Sequence, residues 1–185
     1  MSSRGVSAPP GGLELNYQSL YKKMSSDLDK ELNSTEIEFC MVHMAKRNKD
    51  AKEQNCKDGK VGDQSLEFTS LQGVAGEMYA SKCLNVFPDL SAGPGKHDIR
   101  VSGIKVDVKT TDCPTGHLLV KYRECYDAHA QIFMLVVGDI SGFRLAGWQW
   151  IDFIAQKKYY KKNPKNGKYR YKVPQKDLLS LEELV

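Results

Sequence analysis

The stretch His97–Lys109, HDIRVSGIKVDVK, alternates apolar and charged residues on both sides of a Ser102-Gly103 pair. That period of two predicts strands over 97–102 and 104–111 joined by a two-residue turn, with Gly103 free to take the positive φ that tight hairpins demand. Pairing outward from the turn sets Val101 opposite Ile104 and Ile99 opposite Val106, filling one face with β-branched side chains. On the other face Asp98 lies across from Asp107 and Arg100 across from Lys105. Lys109, two residues past Asp107, projects from that same face.

Directly opposed residues hold their Cβ atoms about 4.5–5.5 Å apart. Two carboxylates so placed repel unless a positive charge stands between them, and a hard divalent cation such as Mg²⁺ or Mn²⁺ suits oxygen donors. The Lys109 ammonium beside such a cation would orient a water or balance charge on a reacting phosphoryl group. The same residues also allow a plain surface hairpin whose acids pair with Arg100 and Lys105, and the hairpin alone leaves both readings open.

Downstream, the pattern predicts a strand at 117–122, a buried central strand at Ile132–Val137 and another strand at Phe143–Trp148. A short helix over Ile151–Lys158, a strand near Tyr169–Val173 and a helical end at Leu178–Leu184 follow. Upstream, Tyr17, Leu20, Tyr21, Met24, Leu28 and Leu32 recur at helical spacing and predict a first helix over 16–32. Thr35 to Glu38 reads as a capping box opening a second helix through Ile37, Cys40, Met41 and Met44. Residues 48–64 are polar and aperiodic. Thr69 to Gln72 reads as a further box, starting a third helix with Leu71, Val74, Ala75 and Met78 on its buried stripe. Gly73 and Gly76 in that helix predict close approach to the sheet, carrying Glu77 at the stripe's edge towards the carboxylate pair.

These elements predict an α/β (α+β) fold in which helices flank one central mixed sheet. The expected organisation is a flexible Ser/Pro/Gly-rich tail at 1–15 and a single domain over 16–185. Within the domain lie N-terminal helices (16–50), a polar loop (about 48–66), a core (67–155) and a basic strip (157–172).

With 41% apolar and 27% charged residues among 185, the composition is that expected of a globular protein. No apolar run approaches the roughly 20 residues of a membrane helix, and residues 1–12, lacking an apolar core, read as a tail and not as a secretory signal. Cys40, Cys56, Cys83, Cys113 and Cys125 are scattered, odd in number and free of any CxxC, as expected for free thiols in a reducing cytoplasm or nucleus. Zinc held by Cys113, His117, Cys125 and His129 is disfavoured by the spacing. The net charge of +4 is local: Lys157, Lys158, Lys161, Lys162, Lys165, Lys168, Arg170 and Lys172 account for more than all of it. Interleaved with Tyr159, Tyr160, Tyr169 and Tyr171, this strip predicts phosphate contacts with tyrosines available to stack on bases, or else a solvated loop with its tyrosines in the core.

The order Gly76-Glu77 in a helix, Asp98 in KHDI and Asp107-Val108-Lys109 in VDVKTT resembles the PD-(D/E)XK nuclease superfamily, over roughly residues 70–150. The GVAGEMYASKCLN helix is similar to those of phage and resolvase-like members. The resemblance implies a restriction-endonuclease-like core and a Mg²⁺- or Mn²⁺-dependent phosphodiesterase, a deoxyribonuclease acting as an endonuclease in viral or phage DNA processing. It implies that Asp98 and Asp107 bind metal, that Val108 adds its carbonyl, that Glu77 binds the metal or a water held by it, and that Lys109 positions the nucleophile. His97 stands where the family has proline. A literal Pro88-Asp89 lies upstream, so Asp89 remains an alternative to Asp98. His43, on the helix before Glu77, would be a ligand if the chain were an RNA endonuclease of the cap-snatching kind. A non-catalytic nucleic-acid-binding module is the third reading. DNA is favoured over RNA as partner, and a homodimer is allowed for.

Overall fold

The computed structural model describes residues 31–53, 65–90, 97–126, 129–164 and 167–184. The expected tail, nearly all of the first expected helix, Cys56 and Lys165 lie outside the described residues.

Helix α1 spans Ser34–Glu53 and α2 spans Leu66–Leu84. The α1 capping box is Asn33 with Glu36, not Thr35 with Glu38: Asn33 Oδ1 accepts from Glu36 N at 2.9 Å and Glu36 Oε2 accepts from Asn33 N at 2.8 Å. The helix also runs through Asn48–Glu53, the first part of the expected polar loop; an exposed last turn needs no apolar stripe, and Lys49 and Glu53 face each other at 4.0 Å. In α2 the cap is Ser65, whose Oγ accepts from Phe68 N at 3.1 Å. Thr69 is already inside the helix and donates to Ser65 O.

The remaining elements in chain order are β1 (Ile99–Val101), β2 (Ile104–Thr111), β3 (Leu118–Lys121), α3 (Tyr122–Tyr126), β4 (Ile132–Asp139), β5 (Gly142–Trp150), α4 (Ile151–Ile154), β6 (Tyr160–Lys162) and β7 (Tyr169–Val173). A mixed sheet of order β1-β2-β4-β5 forms the centre, with β2 and β4 parallel and the other pairs antiparallel. The hairpin register is the one its alternation predicts: Ile99 pairs with Val106, Arg100 with Lys105 and Val101 with Ile104. Ser102 at φ +47° and Gly103 at φ +87° give the doubly left-handed turn that matches strand twist.

The expectation of one sheet needs correction. A second, three-stranded sheet of order β3-β7-β6 packs on the first. It forms because the strip conceals a period of two: Tyr171 and Val173 point inward to Leu118 and Val120, while Arg170 and Lys172 point out. The two helical stretches expected near the C-terminus also shrink. The first ends at Ile154 and resumes as a single 3-10 turn at Lys157–Tyr159, and the last is a 3-10 turn at Leu181–Glu183.

Each face of the central sheet therefore has its own core. Val106, Val108, Ile132 and Met134 pack against Val74, Ala75 and Tyr79 of α2. Phe133, Leu135 and Val137 pack against the second sheet. Gly76 brings α2 onto β2, since a Cβ there would overlap the Thr110 side chain, whereas a Cβ at Gly73 would meet nothing within 4 Å. Only one of the two glycines thus serves the close approach. Among the described residues no helix is long and apolar enough to cross a membrane.

Candidate active site

β1 is three residues long and pairs only with Ile104–Val106, so the edge of β2 from Asp107 onward loses its neighbour. Asp98, immediately before β1, covers this gap: its Oδ2 accepts a hydrogen bond from Val108 N at 2.7 Å. Val108 therefore meets the site through its amide. Asp107 and Lys109 project from the face of β2 that carries Phe133 and Leu135 on β4, with Lys109 Nζ 5.7 Å from the Phe133 ring centroid.

Glu77, Asp98, Asp107 and Lys109 come together at this edge, each in a poorly hydrated setting: the carboxylate side chains are 14%, 13% and 8% exposed. Lys109 Nζ lies 2.7 Å from Asp107 Oδ1 and 3.3 Å from Glu124 Oε1. That ammonium is the partner of Asp107 Oδ1 and helps to hold its carboxylate ionised. Asp107 Oδ2 is held by His129 Nε2 at 2.9 Å. On the α1 side, Arg47 Nη1 reaches both oxygens of Glu77, at 2.9 and 2.7 Å, while its Nη2 stands 4.0 Å from Asp98 Oδ1.

Charge and burial act in opposition here. Burial, then the charges of Glu77 and Asp107, push the Asp98 carboxyl well above its ordinary value. Burial likewise raises Glu77, against the opposing pull of Arg47. Burial also favours the neutral form of Asp107, but Lys109 and His129 outweigh it and hold that carboxyl below its ordinary value. Lys109 is raised despite burial, because Asp107 and Glu124 favour its charged form.

Three residues of this cluster were not singled out in the sequence as members. Arg47 falls one turn beyond His43, within the expected helical region, but only the packing of α1 on α2 shows that it meets Glu77. Glu124 follows β3 in a five-residue helix with no distinctive motif. His129 was weighed only as a zinc ligand; its partner is Asp107. The alternatives fall elsewhere. Asp89 donates its backbone N–H to Asp98 O at 2.6 Å, and its carboxylate lies 4.0 Å from His97. His43 stacks on Phe39, with ring centroids 6.1 Å apart, and Arg47 is the α1 side chain that meets the carboxylates.

The donor set is of the kind a hard divalent cation takes: three poorly hydrated carboxylates whose acidic excess is answered nearby by Arg47 and Lys109. With the side chains as placed, no three His, Cys, Asp or Glu groups among the described residues converge on one point. Arg47 and Lys109 stand in the positive positions instead.

The strip residues divide by face. Lys157 and Lys158 lie on the 3-10 turn, Lys161 and Lys162 on β6, Lys168 just before β7, and Arg170 and Lys172 on β7. Tyr159 and Tyr171 are buried, the former donating its hydroxyl to Asp177 Oδ2 at 2.9 Å, so two of the four tyrosines belong to the core. The four described cysteines, Cys40, Cys83, Cys113 and Cys125, are free thiols.

No protein-family model matches the chain, and no curated protein is detectably similar to it.

Proposed function

We propose that the protein is a divalent-metal-dependent nuclease that hydrolyses DNA phosphodiester bonds, with a restriction-endonuclease-like core and its site at the open edge of β2. The observation that carries this reading is the meeting of Glu77, Asp98, Asp107 and Lys109, from three separate segments, in one poorly hydrated place. A stable fold has no need to bury three acids together, and desolvating like charges is costly.

Glu77, Asp98 and Asp107 would hold Mg²⁺ or Mn²⁺, which when bound supplies Lewis-acid stabilisation of charge developing on a phosphoryl group. Lys109, kept charged by Asp107 and Glu124, offers an ammonium to the scissile phosphate or to the attacking water. Asp98 fixes the backbone at Val108, which sets the separation of Asp107 and Lys109. His129 orients Asp107 from the opposite side. Arg47 neutralises Glu77 until substrate or metal arrives.

A second reading, a nucleic-acid-binding module without catalysis, draws on one observation: Arg47 and Lys109 already pair with Glu77 and Asp107. Incubation with plasmid, branched DNA and RNA across Mg²⁺, Mn²⁺ and Ca²⁺ separates the two. The nuclease reading expects cleavage of DNA with Mg²⁺ or Mn²⁺ and none with chelator. Binding without cleavage under every metal would favour the module.

A further inference from the structure

The outer face of the three-stranded sheet carries a row of cations that the order of residues in the chain conceals. Lys121 on β3 pairs with Arg170 on β7, which pairs with Lys161 on β6. Directly paired residues share a face, and strands lie about 4.8 Å apart, so three positive side chains stand side by side across about 10 Å. One end of the row adjoins the candidate active site, because Lys121 Nζ lies 3.4 Å from Glu124 Oε1, and that same atom is 3.3 Å from Lys109 Nζ. The other end opens into a groove of about 680 Å³ lined by Lys158, Lys161, Lys162, Arg170, Lys172 and Lys176. Its acid is Asp177, whose Oδ2 accepts from the Tyr159 hydroxyl.

Of the strip's four tyrosines, Tyr159 lines the groove but is buried and so offers no open ring, and the other three face the other way. Tyr160, Tyr169 and Tyr171 cluster with Tyr122 through ring contacts of 5.1–6.4 Å on the opposite side of the sheet. The basic face therefore offers charge without an aromatic platform, which suits phosphates and not bases.

We propose that this face is a track for the sugar-phosphate backbone of DNA, leading from Lys109 past Lys121, Arg170 and Lys161 into the Lys172 groove, and that it binds without regard to sequence. The track rests on the nucleic-acid reading above but not on catalysis, so it is tested with chelator present.

The experiment measures fluorescence anisotropy of a labelled DNA duplex with the full chain in EDTA over a salt series. Lys161→Gln/Lys172→Gln is the test variant, since both side chains are exposed and the fold should survive; circular dichroism checks this. Lys49→Gln/Lys52→Gln on α1 is the control. The track predicts roughly tenfold weaker binding by the test variant, with the log–log salt slope smaller by about 2, and an unchanged control. Arg170→Lys, which keeps the charge, should retain the slope. Equal affinity and slope in wild type and test variant overturn the track, as does an absence of DNA binding by wild type. So does displacement of the duplex by polyglutamate at equal charge concentration, which would assign the face to an acidic protein surface. Loss of binding in the variant from a protein that never cleaves DNA would support the track while removing the nuclease reading.

Discussion

Arg47 holds both carboxylate oxygens of Glu77, at 2.9 and 2.7 Å, and so ties α1 to α2 at the one point where α2 presents an acid to the edge of β2. Its other terminal nitrogen stands 4.0 Å from Asp98. One guanidinium thus answers two of the three acids expected to take a divalent cation.

Replacing it by Arg47→Gln leaves Glu77 buried without its cation. Breaking such a pair costs about 3–5 kcal/mol when fully buried; with the Arg47 side chain 31% exposed we expect about 1–2 kcal/mol. Mn²⁺ should then restore more thermal stability to the variant than it adds to wild type. Melting curves with and without Mn²⁺ check this, and equal metal-induced shifts would mean that Arg47 and metal do not answer the same charge.

Asp98 gives the pH dependence. Its carboxyl is raised in the folded state, chiefly by burial, so the native protein binds its proton more tightly than the unfolded chain does. Stability should therefore fall as pH rises above the ordinary carboxylate value of 3.8. Asp98→Asn removes the titrating group, so in chelator its stability relative to wild type should improve across the pH interval above that ordinary value. Metal binding must expel the same proton, so Mn²⁺ affinity should climb across that interval. Urea unfolding and calorimetry in buffers of different ionisation enthalpy read the two effects; a relative stability that does not change with pH would contradict both.

The α2 glycines form a matched pair. Gly73→Ala meets open space and should gain about 0.5–1 kcal/mol from helix propensity. Gly76→Ala must push against the stiff, β-branched Thr110 and should lose about 1–3 kcal/mol despite the same propensity gain. Denaturant midpoints that move together would show that α2 does not rely on Gly76 to approach β2.

Much of this was legible because the decisive stretch is short-range. The 97–109 alternation set the hairpin register, and the run Ile132–Val137 set the central strand, since period and turn chemistry act locally. Helix starts were misplaced by two to four residues where several Ser, Thr and Asn side chains competed to cap, as Asn33 did with Thr35 and Ser65 with Thr69. Two strands of the second sheet, at 118–121 and 169–173, were expected; their pairing with each other and with β6 escaped, because pairing is long-range and the three-residue β6 is too short to show a period. Arg47, Glu124 and His129 reach the site only through long-range packing, which no local pattern encodes.

The turn at Ser102-Gly103 sets where Asp98 stands. One residue inserted after Gly103 should slip or bulge the hairpin and carry Asp98 off Val108 N. Ile99 and Val101 are buried and resist a full slip, so the protein should stay folded while Mn²⁺ affinity drops and the rate falls with it. Calorimetry that finds full metal affinity in this variant would separate Asp98 from the site and turn attention to Asp89.

The most direct test of the central claim is the rate of plasmid cleavage in Mn²⁺ by wild type, Asp107→Asn and Lys109→Ala, each shown by circular dichroism to be folded. The account predicts cleavage by wild type that chelator abolishes, and a loss of at least about 100-fold in each variant. Wild-type rates in either folded variant, or cleavage that persists in EDTA, would contradict it.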